Sequence, residues 1–267
     1  MKNLGVIIES KPTDFYAGKL PYEIINPSGV WIPPSEEKQS SNYADSMACV
    51  TFSALNCIET QYEFFTGQDI NFSDRFIANI SGTTPQGNSI QNVLDAIRHY
   101  GLVLEKDYPT PKNFTWNDYY TSIPPEVFDK AILKPVNGIS PISYEFGSTD
   151  YTKDLKQAPL QMVVLKDNPY HAVEMINLTE EFDSYAPFIK PQQSIHLICK
   201  IILKGIPMIE FVHITETTEY GLLVSTPVGK QYVPASTEED LKARGGTKIP
   251  LLPDGKIDYS KAREITL

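Results

Sequence analysis

Histidine and cysteine are scarce in this chain, with four histidines and three cysteines among 267 residues. Cys49, Cys57 and Cys199 make an odd set without metal-binding spacing, so neither a metal nor another cofactor is expected. Cys49 and Cys57 share one predicted helix and would lie ~12 Å apart along it, too far for a disulfide. The pattern points to free thiols and a reducing, cytoplasmic setting. Long apolar runs are missing as well. Val6-Ile7-Ile8 is too short for a signal-peptide core. The most apolar window, Ile195 to Ile214, is broken by Lys200, Lys204 and Glu210 and reads as strands, not a membrane span. Positive charge is in deficit, with 23 Lys and Arg against 33 Asp and Glu and a formal net charge of -10. Nucleic-acid binding needs a basic face, and so does binding to an anionic membrane surface. Neither partner is expected.

Proline is plentiful, with 21 residues against 15 glycines, so loops should be extensive. Residues 1–45 show little helical periodicity and read as an extended arm with short strands. No propeptide-sized helical segment precedes Cys49, so a conventional self-inhibiting zymogen is not expected. Residues 46–66 read as a helix, capped by Asp45 or Ser46 and closed by Gly67. Asn71 to Ile80 reads as a second, started by Ser73. In the third, Ile90, Val93, Leu94, Ile97 and Tyr100 mark one face, Asn88 or Ser89 caps, and Gly101 ends it. Pro124-Pro125 opens a short helix through Ile132. After Pro135 the runs turn short and β-rich: Leu160 to Leu165, Ala172 to Ile176, Ile195 to Ile202, Phe211 to Ile214 and Leu222 to Ser225. Thr237 to Arg244 reads as one or two helical turns. A helical first half and a sheet-like second half indicate an α+β fold. The expected layout is an arm over 1–45, a main domain over 46–200 and additional strands with a tail over 201–267. The main domain divides into a helical lobe (about 46–135) and an antiparallel β lobe (about 136–200).

Cys49 stands near a helix N-terminus, where the dipole favours a thiolate, although a buried cysteine is as readily a small core residue. A nucleophile needs a base, and the base needs an orienting group. His99 lies on the third helix, and His196 and His213 lie within strand-like runs. His171 begins an apolar strand after the turn-like Lys166 to Tyr170, which suits a ring held rigidly in a cleft. After a hairpin at Leu178 to Phe182, a returning strand would set Asp183 beside His171.

These segments resemble the papain-like cysteine peptidases over roughly residues 30–190. The family's Cys-Trp-Ala-Phe-Ser-Ala appears as Cys49-Val-Thr-Phe-Ser-Ala54, its His-Ala-Val as His171-Ala-Val173, and its Asn-Ser-Trp as Asp183-Ser-Tyr185. Phe72-Ser-Asp74 is similar to Leu-Ser-Glu at the second helix. Gly87-Asn-Ser-Ile90, Tyr100-Gly101 and Asp107-Tyr-Pro109 follow the family's glycine loop, Tyr-Gly and Tyr-Pro, and Ala158 to Val163 follows its Gln-Pro-Val strand. The resemblance implies a two-lobed papain-like fold and a peptidase or amidase working through an acyl-thioester. In that reading Cys49 is nucleophile, His171 proton shuttle and Asp183 orienting group. The oxyanion donors would be the Cys49 N–H and a glutamine, read as Gln39 with a four-residue insertion, or else Asn42. Gly87 and Asn88 would offer backbone bonds to an extended peptide.

The chain departs from the pattern at Val50, Asp183 and Tyr185, and the stretch before His171 is short. A non-enzymatic member serving as a structural or binding component is the alternative. Its arm and tail would then meet assembly partners. The Cys-Val-Thr-Phe-Ser variant is similar to papain-like sequences of tailed phages, which adds a virion to the expected settings. A peptide, a peptidoglycan cross-link and a carrier amide all fit as substrates.

Overall fold

The computed structural model describes residues 5–15, 25–67, 69–135, 140, 142–148, 150–165 and 170–203. Beyond these it describes the backbone of strand residues within 207–266. The chain forms two compact units, Met1–Leu203 and Lys204–Leu267. The first unit is α+β, helical and then antiparallel. Its helices are α1 (Cys49–Thr66), α2 (Asp74–Ile80), α3 (Ile90–Tyr100), α4 (Trp116–Tyr119), α5 (Pro125–Asp129) and α6 (Tyr151–Leu155). Its strands are β1 (Ile142–Phe146), β2 (Leu160–Leu165), β3 (Tyr170–Met175), β4 (Glu180–Phe182), β5 (Ile189–Pro191) and β6 (Ile195–Leu203). They form one sheet in the order β1-β6-β2-β3-β4-β5.

The second unit holds β7 (Pro207–Ile209), β8 (Tyr220–Thr226), β9 (Gly229–Ala235) and β10 (Glu264–Thr266), in the order β10-β7-β8-β9. The strand expected over Leu222 to Ser225 is part of β8. The strand at Phe211 to Ile214 and the helical turns at Thr237 to Arg244 lie outside the described residues.

Helix α1 is the centre of the first unit. Every residue from Cys49 to Tyr62 is buried, and the helix packs on β2, β3 and β6 and on α2 and α3. Several of its polar groups are matched inside. Gln161 on β2 donates to the Val50 carbonyl and to Ser53 Oγ, each at 2.8 Å. Gln61 donates to the Ile201 carbonyl of β6 at 3.0 Å and accepts from the Leu203 N–H at 3.0 Å. Gly67 closes α1 in the left-handed region, its N–H bonding the Glu63 carbonyl.

The start of α1 differs from the sequence expectation. It begins at Cys49, and neither Asp45 nor Ser46 caps it. Met47 has a positive φ of 55°, which no α-helix accommodates, and Asp45 spends a carboxylate oxygen on the Met47 N–H at 2.7 Å. Cys49 is therefore the first residue of the helix and not one turn into it. The two following helices match their caps. Ser73 accepts from the Phe76 N–H and Ser89 from the Asn92 N–H. The helix after Pro124 stops at Asp129, because Ile132 pairs with Leu102 as a bridge. Trp31 anchors the arm, buried among β2, β3 and β6 residues with its indole N–H on the Leu155 carbonyl at 2.7 Å. Among the described residues, no helix is long and apolar enough to cross a membrane.

Several carboxyls are buried beside this core. Burial, reinforced by the charge of Glu37, pushes Glu59 and Asp74 well up. Burial raises Glu105 to about 7 and Glu174 to about 8. A carboxyl with a raised folded pKa binds more protons folded than unfolded. Its stabilisation is full below its unfolded value of about 4 and fades as pH rises through the folded one. Asp183 and Asp95, held low, act oppositely, but their window lies at the acid end. The thermal midpoint should therefore fall between pH 5 and pH 8.5, by roughly 5 °C. A midpoint that rises across this interval in scanning calorimetry would contradict these assignments.

Candidate active site

Cys49 opens α1, where the leading N–H groups have no carbonyl partner within the helix. Its side chain is fully buried. His171 is the second residue of β3 and lies opposite Val164 of β2. Since β2 is tied to α1 through Gln161, the strand bearing His171 is held in register with the helix bearing Cys49. Asp183 follows the end of β4, which pairs antiparallel with β3.

His171 Nε2 lies 2.7 Å from Asp183 Oδ1, with both side chains buried. The Tyr185 N–H donates to the same oxygen at 3.0 Å. Lys190, on β5, donates to Asp183 Oδ2 at 2.5 Å. The other ring nitrogen, His171 Nδ1, has no nitrogen or oxygen partner. Cys49 nevertheless acts on the ring electrostatically. Burial alone would lower the His171 pKa, but Cys49 and then Asp183 push it up to about 10. Burial likewise would raise Asp183, but its bonds and charge pairing with His171 and Lys190 hold it below the usual carboxylate range. The Tyr185 ring lies 5.3 Å from the His171 ring, tilted against it.

Gln39 is buried next to this group. Its amide nitrogen donates to Asp45 Oδ1 at 2.9 Å and to Tyr185 Oη at 2.6 Å, which engages both of its hydrogens. Its carbonyl accepts from Ser184 Oγ at 2.7 Å, which fixes the amide's orientation. The Tyr185 hydroxyl in turn donates to Asp45 Oδ2. Asn42 is exposed in the neighbouring turn.

The loop that leads into α3 carries part of the chain itself. Asn88 spends its side chain on its own loop, donating to Ser81 and Thr83. Its backbone N–H donates to the Gly5 carbonyl at 2.9 Å, and its carbonyl accepts from the Ile7 N–H at 2.7 Å. The extended segment paired with Asn88 is thus the N-terminal arm, running parallel to it. Gly87 makes no such bonds, because its N–H and carbonyl close a turn with Thr84. What it contributes is space: a Cβ on Gly87 would fall 2.0 Å from the Gly5 carbonyl carbon. Gly5, with φ of 93°, is equally constrained, since a Cβ there would lie 2.8 Å from Cys49 Sγ. The arm continues along α3, with Ser89 Oγ donating to Glu9 and Gln91 accepting from the Thr13 N–H.

Three participants escaped sequence reasoning. Gly5 was one glycine in an unpatterned segment, and Lys190 one lysine in a three-residue strand. Asp45 was read as a helix cap. His99 bonds the Asp95 carbonyl within its own helix, and His196 stacks on Tyr170 at 4.5 Å. His213 lies outside the described residues.

No protein-family model matches the chain, and neither does any curated protein. Solved structures similar to it are cysteine proteases and their precursors. The proform of the ragweed pollen allergen Amb a 11 cysteine protease is 14% identical with a TM-score of 0.48, covering 64% of this chain and 62% of its own. Digestive procathepsin L 3 of the Tenebrio molitor larval midgut is 13% identical with a TM-score of 0.49, covering 75% and 76%. The Carica candamarcensis cysteine protease CMS1MS2 is 14% identical with a TM-score of 0.43, covering 66% and 95%.

The glycine contacts are directly testable. Gly5→Val should expel the first strand of the arm while leaving the core folded. Hydrogen exchange at the Ile7 and Asn88 amides should then rise by at least about tenfold, since each lost backbone bond contributes about 0.5–1.5 kcal/mol. Unchanged protection at both amides would show that this close approach is not required.

Proposed function

We propose that this chain is a papain-like cysteine peptidase or amidase, with Cys49 as nucleophile, His171 as proton shuttle and Asp183 as orienting group. The observation that supports this most is the buried ring of His171, with Asp183 on Nε2 and Cys49 as the largest influence pushing its pKa up. In the reaction, Cys49 sulfur attacks the acyl carbon of an amide. His171 passes its proton to the departing amine, and a thioester forms on Cys49. Water, deprotonated by His171, then attacks the thioester, the acid leaves, and the thiol is restored. Asp183 keeps the ring turned so that Nδ1 serves the sulfur.

The tetrahedral oxygen would be met by the Cys49 N–H and by Gln39, which must exchange its bond to Tyr185 or Asp45 for the oxyanion. A substrate strand would take over the Asn88 N–H and carbonyl from residues 5–7. The arrangement described here is accordingly a closed one. The Gly5 carbonyl is turned to the Asn88 N–H, so the arm is seated as a plug and not as a scissile bond.

One observation favours a second reading, a non-catalytic binding or structural component. Cys49 is covered by Gly5, and both Gln39 hydrogens are spent. Hydrolysis separates the two. With Gly5→Val to clear the cleft, the chain should cleave a mixed pool of amide and peptide substrates. Cys49→Ser in that background should lower the rate by at least about 10³-fold, whereas Cys57→Ala and Cys199→Ala should leave it nearly unchanged. Absence of cleavage with the arm expelled would favour the second reading.

A further inference from the structure

We propose that Lys190 is a positioning residue for this reaction, a fixed cation that keeps Asp183 ionised and aligned while His171 gains and loses its proton. The inference rests on the catalytic reading above and concerns a residue that the sequence patterns do not single out.

Geometry carries it. Asp183 has no exposed side-chain surface, and a carboxylate in such a place persists only when donors satisfy both oxygens. Oδ1 receives His171 Nε2 and the Tyr185 N–H, and Oδ2 is taken by Lys190 Nζ. Lys190 comes from a different strand than His171. It lies on β5, opposite Glu181 of β4, and its stem is mostly buried. Glu181 does not compete for it, since both Glu181 oxygens are engaged by Gln193. The loop between the strands is closed by the Asp183 N–H on the Phe188 carbonyl at 2.8 Å. Lys190 therefore reaches Asp183 from the side away from the ring.

The consequence concerns the moment of proton transfer. When His171 gives its proton to the leaving amine, Asp183 loses its cationic neighbour. Without a second cation beside it, the buried carboxylate would hold the imidazolium proton more tightly and resist its transfer. Lys190 remains charged at that moment, so Asp183 stays an acceptor for the Nε2 hydrogen. The other titratable groups facing the pair are Cys49 from α1, and Tyr185 with its partner Asp45. None of them supplies a permanent positive charge.

The test follows the ring nitrogens of His171 by 15N NMR against pH in the full chain, in Lys190→Met and Lys190→Gln, and in Lys190→Arg. Removing a cation from a shared carboxylate strengthens the hold of Asp183 on imidazolium. Both neutral variants should therefore shift the His171 midpoint upward by about one pH unit, a tenfold change in its protonation equilibrium. Lys190→Arg should restore the original midpoint. With the arm expelled, the alkaline limb of hydrolysis should move with the same shift. A His171 midpoint that stays in place or falls in whichever neutral variant folds would overturn the proposal, even if the rate dropped uniformly. If His171 in the unaltered chain titrates as an ordinary imidazole, the Cys49–His171–Asp183 reading fails, whatever Lys190 does.

Discussion

The burial of helix α1 is the constraint on which the rest of the first unit depends. A helix enclosed on all sides shows no apolar stripe, and its polar groups must be matched within the protein. Gln161 and Gln61 do part of this, and in doing so they fasten the helix to β2 and β6. An amide bond of this kind contributes only about 1 kcal/mol, but an unmatched buried group costs about 1–3 kcal/mol. The register between helix and sheet is therefore specified more by penalty than by gain. Because β3 pairs with β2, that register also sets where His171 stands relative to Cys49.

Around this frame the site concentrates charge in a dry place. Cys49, His171, Asp183 and Lys190 alternate in sign along one chain of contacts when thiol and ring are ionised. Cys49 and Asp183 push His171 upward, and His171 and Lys190 push Asp183 downward, despite burial of both. A parallel network of Gln39, Tyr185 and Asp45 lies beside it and holds the candidate oxyanion donor in reserve. The arm covers Cys49 through backbone contacts that only glycine permits at positions 5 and 87.

Much of this was legible in the sequence. The third helix announced its cap as Asn88 or Ser89, its apolar face and its stop; the structure places the cap at Ser89 and the stop at Gly101 and buries Ile90, Val93, Leu94 and Ile97, but leaves Tyr100 exposed. The change from helices to strands after Pro135 was equally visible. What could not be read has physical causes. The left-handed Met47 that delays α1 has no compositional signal, because methionine rarely adopts that conformation. The seat of the arm depends on two backbones passing closely, which one glycine among unpatterned residues does not reveal. Lys190 meets Asp183 through a hairpin, and charge pairs across a hairpin leave no periodicity in sequence.

If His171 activates Cys49 as proposed, the other thiols should stay inert. Burial pushes the Cys57 and Cys199 thiols well up, so neither should compete. The direct measurement is peptide mapping by mass spectrometry after brief treatment with a thiol-reactive, peptide-like inhibitor, using the Gly5→Val chain with and without His171→Ala. Modification is expected at Cys49 alone, with near-complete loss when His171 is replaced. Equal labelling of Cys57 or Cys199, or Cys49 labelling that ignores His171, would contradict it.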